Sequence, residues 1–537
     1  MSTWAMKAVR TVVVALGTAA FAAAPLAAQV QPAPDRPDGE GEGPFERLII
    51  RGATLIDGTG GPARGPVDIV VEGNRITRIA NVGVPMIDID PDDRPEGATQ
   101  EIDAAGKYVM PGFVDLHLHT GGDPKAPEAE YTYKLWMAHG ITTGRGVEFG
   151  SVDFSLSEKA RSAANQITAP RMWVYQRPGQ GWDGGRVQNA DQARAWVRWA
   201  SENGIDGVKL VAYPPDIMEA LIDEAKLHGM GTVAHLAQNG VARMNALDAV
   251  RLGLGTITHY YGLFEAIYRD GDVQEWPADM NYNDEQFRFG QVARQWDRIH
   301  PQGSDEWNAL LEELLALDVT MDPTMTAYLA SRDVMRARTA DWHERYTLPS
   351  QWDYYEPSRL NHGSYYYDWT SADEIAWKNF YRVWMAMIDD YKDMGGRVTV
   401  SSDAGFIYNL YGFSTIEEME LIQEAGFTPL EVIRSATLHG AETLTMPLGQ
   451  MPEFGTIREG FLADMVIVGE NPLHNLKVLY GTGAVRLNDD TGAAERIGGI
   501  EYTIKDGIVY DAKALLEDVA RMVEEQKTQR ATASPPQ

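Results

Sequence analysis

Cysteine is absent from all 537 residues, so neither disulfides nor thiolate ligands are available, and any metal must be held by nitrogen and oxygen. Past the N-terminus no uncharged apolar run approaches the ~20 residues needed to cross a bilayer, so the body of the chain is expected to be soluble. Positive charge is scarce as well: 47 Lys and Arg face 77 Asp and Glu, for a formal charge of −30. That imbalance argues against nucleic acid and anionic membrane surfaces as partners and says little about fold.

The one long apolar run is N-terminal. Lys7 and Arg10 precede the uncharged stretch from Thr11 to Ala24, and Leu26-Ala27-Ala28 offers small residues for cleavage. Residues 1–28 therefore read as a signal peptide, too short in its apolar part for an anchor, and the mature protein is expected to be periplasmic or secreted. Losing Lys7 and Arg10 with the leader takes the charge from −30 to −32. Residues 29–45 are Pro, Gly, Asp and Glu with almost nothing to bury and read as a disordered linker.

Order is expected from about Phe45. Leu48–Gly58 and Val67–Ile76 are short β-rich runs parted by glycine turns, and the texture returns in Ala463–Val468 and Glu501–Gly507. Strands at opposite ends of a chain pair only if the ends meet, so residues 46–108 and 448–512 are expected to form one split β-sandwich domain. Between them, residues 109–447 alternate β-branched runs with helical patterns, the signature of a parallel α/β sheet. Eight strands can be counted: Val109–His119, Ile141–Arg145, Arg171–Tyr175, Gly207–Val211, Gly231–His235, Thr256–His259, Val319–Pro323 and Arg397–Asp403. Eight strands close a TIM (β/α)8 barrel, whose chemistry sits at the carboxyl ends of the strands. The segments after strands six and seven are long and aromatic, with Trp276, Tyr282, Trp307, Tyr354, Tyr365 and Trp369 among others, and are expected to form helical lids. Residues 513–537 read as a C-terminal helix and a disordered tail.

Candidate ligands fall at those strand ends. His117 and His119 are two apart on strand one, so both imidazoles project to one side. His235 closes strand five, His259 strand six and Asp403 strand eight, while Lys209 ends strand four. Four imidazoles and a carboxylate can converge there. A lysine would repel metals unless carbon dioxide converts it to a carbamate. His139 and His228, each before a helix-ending glycine, and His439 read as structural.

With these residues in hand, the chain resembles the amidohydrolase superfamily in its binuclear branch of prolidase-like and metal-dependent carboxypeptidase enzymes. The resemblance runs from about Leu48 to Tyr510. It is carried by Pro111-Gly112-Phe113-Val114-Asp115-Leu116-His117-Leu118-His119, Gly140–Arg145, Asp206-Gly207-Val208-Lys209, the two lone histidines, Ser402-Asp403-Ala404 and Gly455–Ile467. It implies that His117, His119 and Asp403 hold one metal, His235 and His259 the other, and carbamylated Lys209 bridges the two with a hydroxide. Two divalent ions, zinc by preference with manganese or cobalt tolerated, would then acidify water and polarise a carbonyl. Asp403 would serve as general base and then general acid. Thr258 stands where relatives often carry an acid, and Ser401-Ser402 replaces the more usual Gly-Thr; neither change removes a ligand. Relatives commonly associate, which implies a homo-oligomer.

The expected function is hydrolysis of an amide in a small molecule, a dipeptide such as Xaa-Pro or an N-acyl amino acid. A mononuclear deaminase, a lactone or ester hydrolase, and a non-catalytic scaffold remain as alternatives. Against deamination, the position where such enzymes tend to carry a glutamate is Gln238, which cannot shuttle a proton. Arg145 and Tyr213 are candidates for binding a substrate carboxylate or carbonyl, with packing or ion-pair roles as the competing reading.

Overall fold

The computed structural model describes residues 30–533 apart from 85, 88–91, 93, 272–283 and 364. The expected signal peptide, Trp276 and Tyr282, and the last four residues of the tail lie outside the described residues.

The eight expected strands form one parallel sheet in chain order, curled into a TIM-barrel-like fold. They are strand one Phe113–Leu118, two Ile141–Val147, three Arg171–Gln176, four Gly207–Leu210, five Gly231–Ala234, six Thr256–Thr258, seven Thr320–Asp322 and eight Arg397–Val398. Strand eight is short, but the extended chain beyond it continues the curl. Thr399 N–H donates to the Met321 carbonyl at 3.0 Å, and Asp403 N–H to the His117 carbonyl at 3.0 Å, bringing the last strand to the first. The interior is filled as a small barrel requires. Tyr175 lies where Gly207 and Gly231 carry no side chain, and a Cβ at either glycine would collide with its ring.

The run Val109–His119, expected as one strand, is two. Tyr108–Pro111 belongs to a second sheet and Phe113–Leu118 to the barrel. The break falls at Gly112, where any side chain would strike Thr142. In this second sheet the order is Ile508–Asp511, Ile500–Lys505, Met465–Val468, Tyr108–Pro111, Leu48–Leu55, Arg64–Glu72, Arg75–Asn81, and Gln100–Asp103 also pairs with Leu48–Leu55. Both chain ends therefore meet, but one sheet branched at Leu48–Leu55 stands where a split β-sandwich was expected. Its own apolar cluster includes Leu48, Ile50, Val67, Ile69, Met465 and Ile504.

Residues 30–45 correct the expectation of a disordered linker. Val30 and Ala33 are buried. Gln31 N–H donates to the Pro127 carbonyl at 2.7 Å, Ala33 N–H to Glu158 at 3.2 Å, and the Glu40 carboxylate meets Lys134 at 2.6 Å. A segment too poor in apolar residues to fold alone is held by backbone and ionic partners on the barrel. The C-terminal helix Ala512–Ala533 packs nearby, with Asp518 2.7 Å from Lys134.

The expected lids are helices, among them Glu285–Arg294, Leu329–Arg338, Pro349–Tyr355 and Ser371–Asp393. The last starts where the Asp373 carboxylate accepts from the Thr370 N–H at 2.9 Å and from its hydroxyl at 2.8 Å, which fixes the helix entry. It buries Trp377, Phe380 and Trp384 against Tyr260, at ring separations of 6.0, 5.0 and 5.1 Å. Among the described residues no helix is long and apolar enough to cross a membrane.

Candidate active site

Six side chains gather at the carboxyl ends of the barrel strands. His119 Nε2 is 3.2 Å, His117 Nε2 3.6 Å and His259 Nε2 3.7 Å from an Asp403 carboxylate oxygen. Lys209 Nζ lies 3.0 Å from His117 Nε2. The His235 ring stands 4.6 Å from that of His259. Ligand atoms of His117, His119 and Asp403 all fall within 4.8 Å of one another.

Backbone bonds between strand ends fix these positions. His235 N–H donates to the Leu210 carbonyl at 2.9 Å and His259 N–H to the Asp322 carbonyl at 3.0 Å. His259 and Asp403 adopt left-handed backbone, φ +64° and +46°, which non-glycine residues rarely take and which clusters at functional sites. The imidazoles are also held from behind. His117 Nδ1 is 3.0 Å from the Thr258 hydroxyl, and His259 Nδ1 bonds that of Thr324. Each ring is thereby oriented with Nε2 forward, the arrangement that tunes a metal-binding histidine.

The residues suit divalent cations. Nε2 of His259 is buried with no hydrogen-bond partner among the described residues, although it faces Asp403. Burial keeps His117 and His235 neutral, well below the ordinary histidine range, and pushes His259 down to about 3. A ligand must be deprotonated, so this is the form a cation needs. Burial would raise the Asp403 carboxyl, yet the hydrogen bond from His119 and the nearby Lys209 hold it below its usual value. Burial pushes the Lys209 ammonium down to about 7 against the pull of Asp403.

Carboxylates behind the site do work that the spacing of the ligands does not reveal. Asp115 Oδ1 accepts from His117 N–H at 3.0 Å and Ser402 N–H at 3.1 Å, tying strand one to the Asp403 segment, while Thr415 holds its other oxygen at 2.7 Å. Asp322, at the end of strand seven, accepts from Arg145 at 3.0 Å and from the hydroxyls of Thr399 at 3.0 Å and Ser401. A carboxylate closing a strand was the available signal for Asp322. Thr258, which stands in place of an acid, is itself the His117 anchor.

Arg145 corrects the expectation of substrate binding. Its side chain is fully buried, with Nε donating to the Leu116 carbonyl at 2.7 Å, Nη2 to Asp322 at 3.0 Å, and the guanidinium 5.2 Å from the Tyr175 ring centre. On strand two it points into the barrel, beneath the histidines, rather than out of its mouth. Arg145→Met should lower unfolding free energy in urea by about 3–5 kcal/mol, because it leaves the buried Asp322 charge unpaired. Tyr213 is half-buried beyond Lys209, within the field of the ion pair between Arg177 and Glu148, whose atoms are 2.6 Å apart. Thr258→Val should weaken metal binding about 10- to 100-fold in competition with a chromogenic chelator, by freeing the His117 ring. Unchanged affinity would show that the anchor is idle.

The histidines expected to be structural stay outside the site. His139 and His228 cap helices as expected, although burial pushes His139 down to about 4, so it acts as a neutral imidazole bonded to the Leu135 carbonyl. His439 bonds the Val398 carbonyl at 2.9 Å. Arg288, Phe289, Tyr328, Tyr261 and His362, which the sequence did not single out, line the cleft above these side chains, together with Gln238. Gln238 Nε2 donates to Glu265 at 3.0 Å.

Compared with known proteins, residues 108–509 match the model of the family described as Amidohydrolase family. Among curated relatives, an N-acyl-D-aspartate deacylase of Alcaligenes xylosoxydans xylosoxydans is 42% identical over 127 residues, 23% of this chain and 20% of that protein. The match thus spans about a fifth of the relative's length. An ochratoxinase of Aspergillus niger is 35% identical over 74 residues, 14% of this chain and 15% of its own. Among solved structures, a Xaa-Pro dipeptidase with bound methionine superposes with a TM-score of 0.57 at 17% identity, over 87% of this chain and 100% of that one. A bottromycin amidohydrolase gives 0.58 at 18% identity, over 90% and 91%. At such identities these likenesses show the fold.

Proposed function

The chain belongs to the amidohydrolase family, and from that premise we propose that it hydrolyses an amide bond in a small molecule, a dipeptide or an N-acyl amino acid, with the help of two divalent metal ions. The observation that carries this reading is the buried Nε2 of His259, with no hydrogen-bond partner among the described residues, facing Asp403 in a group of four imidazoles, one carboxylate and one lysine. The names of the relatives, an N-acyl-D-aspartate deacylase and a Xaa-Pro dipeptidase, point to the same bond class.

His117, His119 and Asp403 would hold one ion, His235 and His259 the other, with Lys209 as a carbamate between them. Zinc suits imidazole and carboxylate best, with manganese or cobalt as alternatives. Such ions supply an acidified water and a polarised carbonyl. The chain's own part is proton handling and positioning. Asp403 accepts a proton from the attacking water and returns it to the departing amine nitrogen, so one carboxylate serves both halves of the reaction. Lys209, buried and low in basicity, offers a neutral amine whose lone pair could bond the carbon of carbon dioxide with loss of a proton, and the resulting carbamate would offer anionic oxygens in place of a repelling ammonium. The aromatic wall of Tyr261, Tyr328 and Phe289 would exclude water from one side of the substrate. Residues 1–28 would direct export to the periplasm or outside, and the mature enzyme would act as a homo-oligomer.

A hydrolysis screen over Xaa-Pro and other dipeptides, N-acyl amino acids and lactones, with and without chelator, tests the proposal. Amine release that chelator stops and zinc restores is the expected result. Turnover confined to lactones, or indifferent to chelator, would reject it.

A further inference from the structure

Arg288 lines the same cleft as His235 and Asp403, with Tyr261, Tyr328 and Phe289 beside it. It sits in the first turn of the lid helix Glu285–Arg294. One terminal nitrogen donates to Glu285 at 3.2 Å, and among the described residues its Nε is buried with no acceptor. A buried guanidinium N–H without an acceptor is costly unless something else supplies one. Glu285 does not absorb the charge alone. Its carboxylate also takes the His362 Nδ1 bond and the Gly363 N–H at 2.8 Å, so it fixes Arg288 in place while sharing its own charge.

A second cation borders this cleft. Lys125 is 8% exposed, and its ammonium lies 4.1 Å from the ring centre of Phe406 and 5.2 Å from that of Tyr354. Phe406 lines the cleft and meets the His119 ring edge-on at 6.2 Å. Lys125 makes no salt bridge with a carboxylate among the described residues. In a chain of net charge −30, an anionic ligand would be repelled at long range unless local cations reversed the field. Arg288 stands in the cleft wall, and Lys125 lies against its Phe406 ring.

We propose that Arg288 receives a carboxylate of the substrate, so that the enzyme's amides carry a free acid beside an apolar body, as N-acyl amino acids and dipeptides do. Planar guanidinium binds carboxylate through paired N–H groups, and the free Nε supplies one of them. The apolar body would lie on Phe289 and Tyr328, directing the amide toward Asp403. Neutral amides and lactones lack the group that Arg288 awaits. This inference rests on the proposed amide hydrolysis for its substrate class, but the anion site can be tested without turnover.

Calorimetric titration of the metal-loaded protein with 4-phenylbutyrate and with uncharged 4-phenylbutanol makes that test. Arg288→Met should weaken butyrate binding by about thirtyfold and leave the alcohol within about twofold, while Arg288→Lys falls between. In turnover, KM for N-acyl amino acids should rise by a similar factor, with the corresponding N-acyl amino acid amides unaffected. Equal loss for acid and alcohol would make Arg288 a packing residue, and unchanged butyrate binding would overturn the site. Should the wild type bind butyrate through Arg288 yet hydrolyse no amide, the hydrolase reading fails and the anion site stands. Should amides be cleaved with no preference for the acid, the reverse holds.

Discussion

Replacing Asp403 with Asn is expected to lower kcat by at least about a thousandfold, while the protein keeps its fold. Three features make this substitution informative. The Asp403 N–H is held by the His117 carbonyl at 3.0 Å, so the backbone stays tethered whatever the side chain. Asparagine, like aspartate, tolerates the left-handed φ of +46° found there, so no new strain enters. The amide also matches the carboxylate in size. What it lacks is the negative charge that would help hold a cation and the ability to take a proton and give it back, so metal content is measured beside kcat. Circular dichroism and the thermal midpoint should be nearly unchanged, and turnover should be gone. Substantial residual kcat would remove Asp403 as the proton shuttle and shift that task to another group.

Lys209→Ala should cost both metal and activity. The side chain is 2% exposed, and its nitrogen is 3.0 Å from His117 Nε2, where a bridging carboxylate would have to lie. Burial brings the amine to about 7, so near neutrality a large share is unprotonated and able to combine with carbon dioxide. Alanine would remove the proposed bridge and leave a buried gap. Metal content should fall below the wild-type value, kcat should drop by at least about a hundredfold, and acetate or propionate should restore part of it by supplying the missing carboxylate. An unchanged metal ratio would reject the bridge. Lys209 would then be an ordinary ammonium balanced by Asp403.

Much of this fold can be read from alternation alone. The β-branched runs at Ile141, Arg171, Gly207, Gly231 and Thr256 start the strands found there, because a buried parallel strand must be apolar on both faces. The candidate ligands were legible for the same reason: His117, His235 and His259 interrupt or close such runs, and a polar ring in that place calls for an explanation. Side-chain direction was less legible. Arg145 looked like a residue at the mouth, and only three-dimensional register shows it turned inward to Asp322. The strand break at Gly112 was signalled only by the Pro111-Gly112 pair; that no side chain fits there shows only in three dimensions, where Thr142, a residue 30 positions away, would collide with it. Residues 30–45 escaped composition because their partners, Glu158 and Lys134, lie on the barrel. Arg288 and His362 belong to lids whose placement no periodicity dictates, and the pocket wall is built from such segments.

The most direct measurement is elemental analysis of the purified protein after exhaustive dialysis, run beside His117→Ala and His235→Ala. About two equivalents of divalent metal per chain in the wild type, reduced in each variant, is the expected result. A wild type that retains none, even after incubation with excess zinc, or variants that keep the full complement, would contradict the assignment of these side chains to a binuclear centre.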